Sequence, residues 1–212
     1  MTGLAKTQLK TILWKEWRQA SDLFYLAVAI LVGTAMLPFF ALPGSGFEAL
    51  FRRDFVCAGA ALATVLTCLG LGVVGYGIEF NDRTAAYLAT RPLSHNQVFF
   101  TKIGLGLLIS MTVAFFAWVL VTVFADTVRT EGTHSVLREW FTHWWAVAPS
   151  VYLAVQSTVL LVRPMIPSLI AACTIGLLAL YVSFHSPVWV LAPAWFLLGW
   201  ASYLLARDRM HG

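Results

Sequence analysis

The stretch EFNDRTAAYLATRPLSHNQVFFTK, Glu79 to Lys102, separates two long apolar blocks. It carries a proline and the charged residues Glu79, Asp82, Arg83, Arg91 and Lys102, in a chain where charge is scarce. The fold turns on whether this stretch is a surface turn of a soluble protein or a polar link between membrane spans. Val56–Ile78 before it holds no charged residue, and neither does Ile103–Ala125 after it. Each block exceeds the about 20 apolar residues that a helix needs to cross a bilayer core. The stretch therefore reads as a link between two spans.

The rest of the chain follows the same pattern. Of its 212 residues, 59% are hydrophobic and 11% charged, against about 25% charged in soluble domains. Six segments have spanning length: Phe24–Leu42, Val56–Ile78, Ile103–Ala125, Trp144–Val162, Ile166–Phe184 and Val188–Ala206. Only His185, Ser186 and Pro187 separate the last two, which also fit a long helical hairpin or a re-entrant piece. The expected fold is an all-α membrane protein with six transmembrane helices and an N-terminal amphipathic interfacial helix. Residues 1–22 form that interfacial helix. Residues 23–212 form the six-span domain, with a cytoplasmic loop at 79–102. No internal repeat, second domain or cleavable signal peptide is expected.

Basic residues set the orientation, because Lys and Arg are retained on the cytoplasmic side. With the N-terminus inside, that side holds Lys6, Lys10, Lys15, Arg18, Arg83, Arg91, Lys102, Arg163, Arg207 and Arg209. The other side holds Arg52, Arg53, Arg129 and Arg138. Ten against four places both termini in the cytoplasm, with the bacterial inner membrane as the expected location. Trp14 and Trp17 then fall at the inner interface, and Trp140, Trp144, Trp145 and Trp189 at the outer one, where amphipathic rings sit. Near the N-terminus, Leu9, Ile12, Leu13 and Trp17 share a helical face, while Lys10, Lys15 and Arg18 project elsewhere. That pattern predicts a helix lying on the inner leaflet, with Trp14, Lys15, Trp17 and Arg18 meeting lipid. A simple polybasic anchor is the alternative.

Several patterns carry no chemistry. GLGVVG at Gly70–Gly75 matches a dinucleotide fingerprint, but that motif must link a strand to a helix in a crossover unit. Inside a span, Gly70 and Gly77 instead offer a small-residue face for close helix packing. His134 and His143 flank Glu139 in the expected outer loop without standard metal-ligand spacing, which favours a solvated loop. Cys57, Cys68 and Cys173 lie in apolar runs and read as packing residues. No Walker A, HExxH or GxSxG pattern occurs, so neither a catalytic residue, a metal site nor a bound cofactor is expected. The spans hold almost no ionisable side chains, which counts against proton relays and buried acid–base catalysis. Their polar residues are mild: Thr64, Thr67, Tyr76, Ser110, Thr112, Tyr152, Gln156, Ser157, Thr158 and Thr174. Tyr152 and Gln156 lie one turn apart in the fourth span. Interhelical hydrogen bonding and a substrate path both fit them.

The opening stretch has its own local design. Asn81 or Asp82 can cap a helix start, and Arg83–Thr90 fits two turns with Ala85, Leu88 and Ala89 on one face. Pro92 stops that helix, and Arg91 before it is biased toward extended geometry. Ser94–Gln97 then reads as a capping box opening the third span, with Leu93 and Val98 as its hydrophobic staple. An amphipathic loop helix resting on lipid is the plainer alternative.

Glu79, Asp82, Thr84, Leu88, Pro92, Leu93, Ser94 and Lys102 together resemble the cytoplasmic loop of the ABC type 2 transporter permease family. Leu13–Gln19 (LWKEWRQ) resembles that family's amphipathic entry helix, and the six-span layout fits the whole chain. Arg83 departs from the family's usual Gly before Thr, and the link between spans five and six is short for it. The resemblance implies a permease subunit of an ATP-driven exporter. Glu79, Asp82, Arg83, Thr84, Ala85, Leu88, Ala89 and Pro92 would then couple it to an ABC ATPase subunit, on which ATP and Mg are bound. It also implies a second permease chain, identical or different, and membrane lipids as partners, with no role for nucleic acid. A non-transporting accessory membrane protein, and a membrane-embedded enzyme, are the rival readings.

Overall fold

The computed structural model describes residues 3–41, 46–81, 95–127, 144–162 and 165–211. They form six helices: α1 (Gly3–Ala41), α2 (Gly46–Asn81), α3 (His95–Thr127), α4 (Trp144–Leu161), α5 (Met165–His185) and α6 (Val188–His211). No strand occurs among them. Five of the helices are long and apolar enough to cross a membrane, and α4 carries a shorter apolar segment, Ala146–Leu161.

The first three helices outrun their apolar blocks. At 39, 36 and 33 residues they are about 58, 54 and 50 Å long, against a hydrocarbon core of about 30 Å. Hydropathy marks where lipid can lie, whereas backbone hydrogen bonding lets a helix continue into polar sequence. The two ends of the expected 79–102 loop are helical for this reason: Glu79–Asn81 complete α2, and residues 95–102 open α3. The start at His95 is where a cap on Ser94 would put it, although Ser94 lies outside the described residues. α1 likewise runs unbroken across residue 22, where sequence separates an interfacial helix from a span. Its buried stripe, Ile12, Glu16, Ala20, Ala27, Leu31 and Thr34, keeps one helical face throughout.

Side-chain contacts fix the helix directions. Trp144 bonds Thr64, Cys68 bonds the Ala148 carbonyl, and Gly72 lies against Val155, so α2 and α4 run the same way. Trp195 bonds Ser150 and Ser202 bonds Ser157, so α6 runs with them. Thr34 meets Gly59 and Leu23 meets Gly70 in the opposite sense, which sets α1 against α2. Gly106 meets Tyr152, whereas Asn96 bonds Tyr203 beside the Ser157–Ser202 level, which sets α3 against α4. The start of α1, the end of α2, the start of α3 and the ends of α4 and α6 therefore share one end of the bundle.

α4 is the hub. Every residue from Ala146 to Gln156 is buried. α2, α3, α5 and α6 all pack on it, while α1 packs on α2 and α3. Small residues permit the close approach: Gly70 receives Leu23, and Gly72 and Gly176 receive Val155. α5 and α6 each pack on α4 but not along each other, so the Ser186–Pro187 link joins two splayed helices rather than a packed hairpin. The outward faces of α3, α5 and α6 carry exposed large apolar side chains such as Phe115, Ile170, Leu177, Phe196 and Leu197. In water such a surface would aggregate, whereas in lipid it costs nothing.

Candidate functional site

A polar cluster lies where α1, α3 and α4 meet. Lys102 Nζ is 2.9 Å from Glu16 Oε1, and the two side chains are 1% and 8% exposed. Glu16 falls on the buried stripe of α1 between Ile12 and Ala20. Lys102 falls on that of α3, beside Phe99, Ile103 and Gly106. Helical register aims both at the bundle interior, and each offsets the other's desolvation.

Tyr152 of α4 completes the level. It is buried, its ring end seats on the bare backbone of Gly106, and the Glu16 carboxylate lies within its electrostatic reach. Gln156 follows one turn later on the same α4 face. The α3–α4 pairing runs from Gly106 beside Tyr152 toward Asn96 near the Ser157–Ser202 level. It therefore puts Gln156 at about the height of Lys102. Gln156 is completely buried, and neither its amide nitrogen nor its amide oxygen has a hydrogen-bond partner. Among the described residues these are the only buried side-chain polar atoms so placed. An unsatisfied buried polar group costs about 1–3 kcal/mol.

The hydroxyls of Thr64, Ser150, Ser157 and Ser202 are occupied. Thr64 accepts from the Trp144 indole at 3.1 Å and donates to the Ala60 carbonyl at 2.9 Å. Ser150 accepts from the Trp195 indole at 2.6 Å and donates to the Ala146 carbonyl at 3.0 Å. Ser157 and Ser202 bond at 2.7 Å. These contacts bind α4 to α2 and α6, and Gln156 stands apart from them.

The expected site residues separate into three groups. Tyr152 and Gln156 come together inside the bundle, facing α3 and sealed from solvent and lipid. Of the N-terminal set, Trp14 and Arg18 are exposed and Lys15 half-buried, while Trp17 tilts against Phe24 at a centroid distance of 5.9 Å. Leu13 is exposed although sequence put it on one face with the buried Ile12. Glu79 lies in the last turn of α2. Asp82, Arg83, Thr84, Ala85, Leu88, Ala89 and Pro92 lie outside the described residues, as do Glu139, His134 and His143.

Two expectations need correction. The bundle interior does hold ionisable groups, because Glu16 and Lys102 lie on helices that continue beyond the blocks marked by hydropathy. Trp144 is no interfacial ring: it is buried and bonded to Thr64, whereas Trp189 is exposed. As expected, the Gly70–Gly75 run lies wholly inside α2, where Gly70 and Gly72 receive neighbouring side chains. Glu16 was legible in principle, as an acid at the helical register of Ile12 and Ala20, once α1 is taken as continuous.

No protein family matches the chain, and neither a curated protein nor a solved structure is significantly similar to it.

Proposed function

We propose that this chain is the permease subunit of an ATP-driven exporter of the ABC type 2 class. It works with separate ATPase chains, which bind ATP and Mg, and with a second permease chain. The observation that carries the reading is that the end of α2 and the start of α3, two helices longer than a bilayer core, lie at the bundle end that also holds the start of α1 and the end of α6. On our reading ten of the fourteen basic residues belong to that end, which supports placing it in the cytoplasm, with the bacterial inner membrane as the location and six spans, α4 included. On this reading Arg83–Thr90 is a short helix whose Ala85, Leu88 and Ala89 face seats in an ATPase groove. Closure of the ATPase pair on ATP then shifts the spans between two states, because nucleotide binds one of them better. Residues 3–22 continue the first span as one helix past the apolar block, with Trp14 and Arg18 exposed toward lipid.

A charge on the seated face tests the reading. Leu88→Asp would leave a carboxylate unpaired in the groove, at a cost of several kcal/mol. The variant inserts normally but loses a co-purifying chain that bears a Walker A motif, or loses transport while ATP is still hydrolysed. Thr90→Asp, at the end of the same helix, is the milder control. Full recovery of the ATPase chain and a normal substrate-stimulated rate for Leu88→Asp would overturn the assignment.

The sealing of α4 favours a second reading, a non-transporting accessory subunit closed around a fixed hub. It is distinguished by the absence of any ATPase chain in the complex purified in detergent.

A further inference from the structure

We propose that the Gln156 face of α4 is a binding subsite for an uncharged hydrogen-bonding group on an apolar body, the carboxamide of a fatty amide being the simplest case. This rests on the exporter reading, since the sealed arrangement described here must open for a ligand to arrive.

The chemistry follows from what is spent and what is free. Glu16 and Lys102 neutralise each other at 2.9 Å, so the cluster presents no surplus charge to hold an ion. The hydroxyls of Thr64, Ser150 and Ser157 are all engaged. The Gln156 amide has unspent capacity, with two N–H donors and a carbonyl acceptor side by side. A second carboxamide is complementary to that edge, donating to the carbonyl while accepting from the nitrogen. The surroundings favour an apolar body: Gly72 lies against the Val155 side chain and the Gln156 backbone, and the Tyr152 ring covers Gly106 one turn from Lys102. An anion or cation would need a free counter-charge, and the ion pair supplies none. Apolar ligands reach such a site from lipid, past the exposed hydrophobic faces of α3 and α6.

The test uses the full chain in nanodiscs and three probes of equal length: dodecanamide, dodecylamine and dodecanoate. Retention of each is measured by native mass spectrometry across a concentration series. Gln156→Met keeps size and removes the amide, while Gln156→Asn keeps the amide and serves if the Met variant fails to fold. The expected result is dodecanamide binding that is about tenfold weaker in Gln156→Met, the equivalent of about 1.4 kcal/mol. Gln156→Asn should fall between the two. Dodecylamine and dodecanoate should show no dependence on residue 156. Equal amide retention by wild type and Gln156→Met overturns the proposal. Equal weakening of all three probes also overturns it. The assay needs no ATPase, so its failure is separable from loss of the ATPase partner in Leu88→Asp.

Discussion

Lys102→Met is the most informative single change, because it leaves the Glu16 carboxylate buried without its ammonium. At 2.9 Å and an effective dielectric constant of about 20, the pair attracts by about 6 kcal/mol. Taking the two groups out of water costs several kcal/mol for each, so the intact pair adds little net stability. Removing one partner is different: the remaining group keeps its desolvation cost and loses its offset, a loss of about 3–5 kcal/mol. For a chain of this size that lowers the unfolding midpoint by about 6–20 °C. Cys68 offers a readout, since it is buried and its thiol donates to the Ala148 carbonyl at 3.5 Å. In a background lacking Cys57 and Cys173, a maleimide reacts with Cys68 only on opening of the bundle. Lys102→Met should shift that reaction to lower temperature, and Glu16→Met should act similarly. The double variant should recover most of the loss, because two thioethers of similar volume replace the pair. A midpoint drop under about 2 °C for either single variant would refute the reasoning, as would a double variant as unstable as the sum of both losses.

Three further outcomes are expected. Cysteines introduced at Glu48 and Thr133 in a background lacking the native ones should react with an impermeant thiol reagent outside intact cells, and those at Thr90 and Gly212 should not; labelling at Thr90 would invert the orientation. The purified chain should bind no nucleotide, and stoichiometric retention of an ATP analogue would contradict its lack of a phosphate-cradling loop. Gly106→Ala should lower stability by about 1–3 kcal/mol, because a Cβ there collides with the end of the Tyr152 side chain. Gly104→Ala, where a Cβ meets nothing within 4 Å, should be neutral or stabilising by up to about 1 kcal/mol. Thermal midpoints of the pair decide it.

The helices were legible in the sequence because uncharged blocks of spanning length leave little choice of structure. Each of the six expected segments lies within, or within a residue of, one helix. Their ends were not legible, because hydropathy falls at the lipid boundary and hydrogen bonding along a helix does not. That mismatch hid the ion pair. Glu16 and Lys102 each sit just outside an apolar block, and only a continuous α1 and an early start of α3 bring them to one level. Gln156 and Tyr152 stood out as polar residues one turn apart. Their isolation from the other hydrogen bonds was not visible, since it depends on which helices flank α4. The same holds for Trp144, whose partner Thr64 lies 80 positions away.

The arrangement around α4 also bears on how motion could reach its centre. On the exporter reading, force enters at 82–94 and passes first into the starts of α3 and the end of α2. Lys102 lies two turns into α3 and is tied to α1 through Glu16, so α3 cannot slide without dragging α1 or breaking a buried pair. Gly106 lies one turn further, against Tyr152, so the same slide presses on the α4 face that carries Gln156. α2 and α6 are held to α4 by indole and hydroxyl bonds at Thr64, Ser150 and Ser157, and so resist relative sliding. The α3–α4 seam contrasts with those bonded seams. It contains a ring on bare glycine and an amide without a partner. Parting it breaks no hydrogen bond of Gln156 and exposes an amide that gains one. On the exporter reading, an opening along that seam would uncover the Gln156 edge without breaking any bond of its amide.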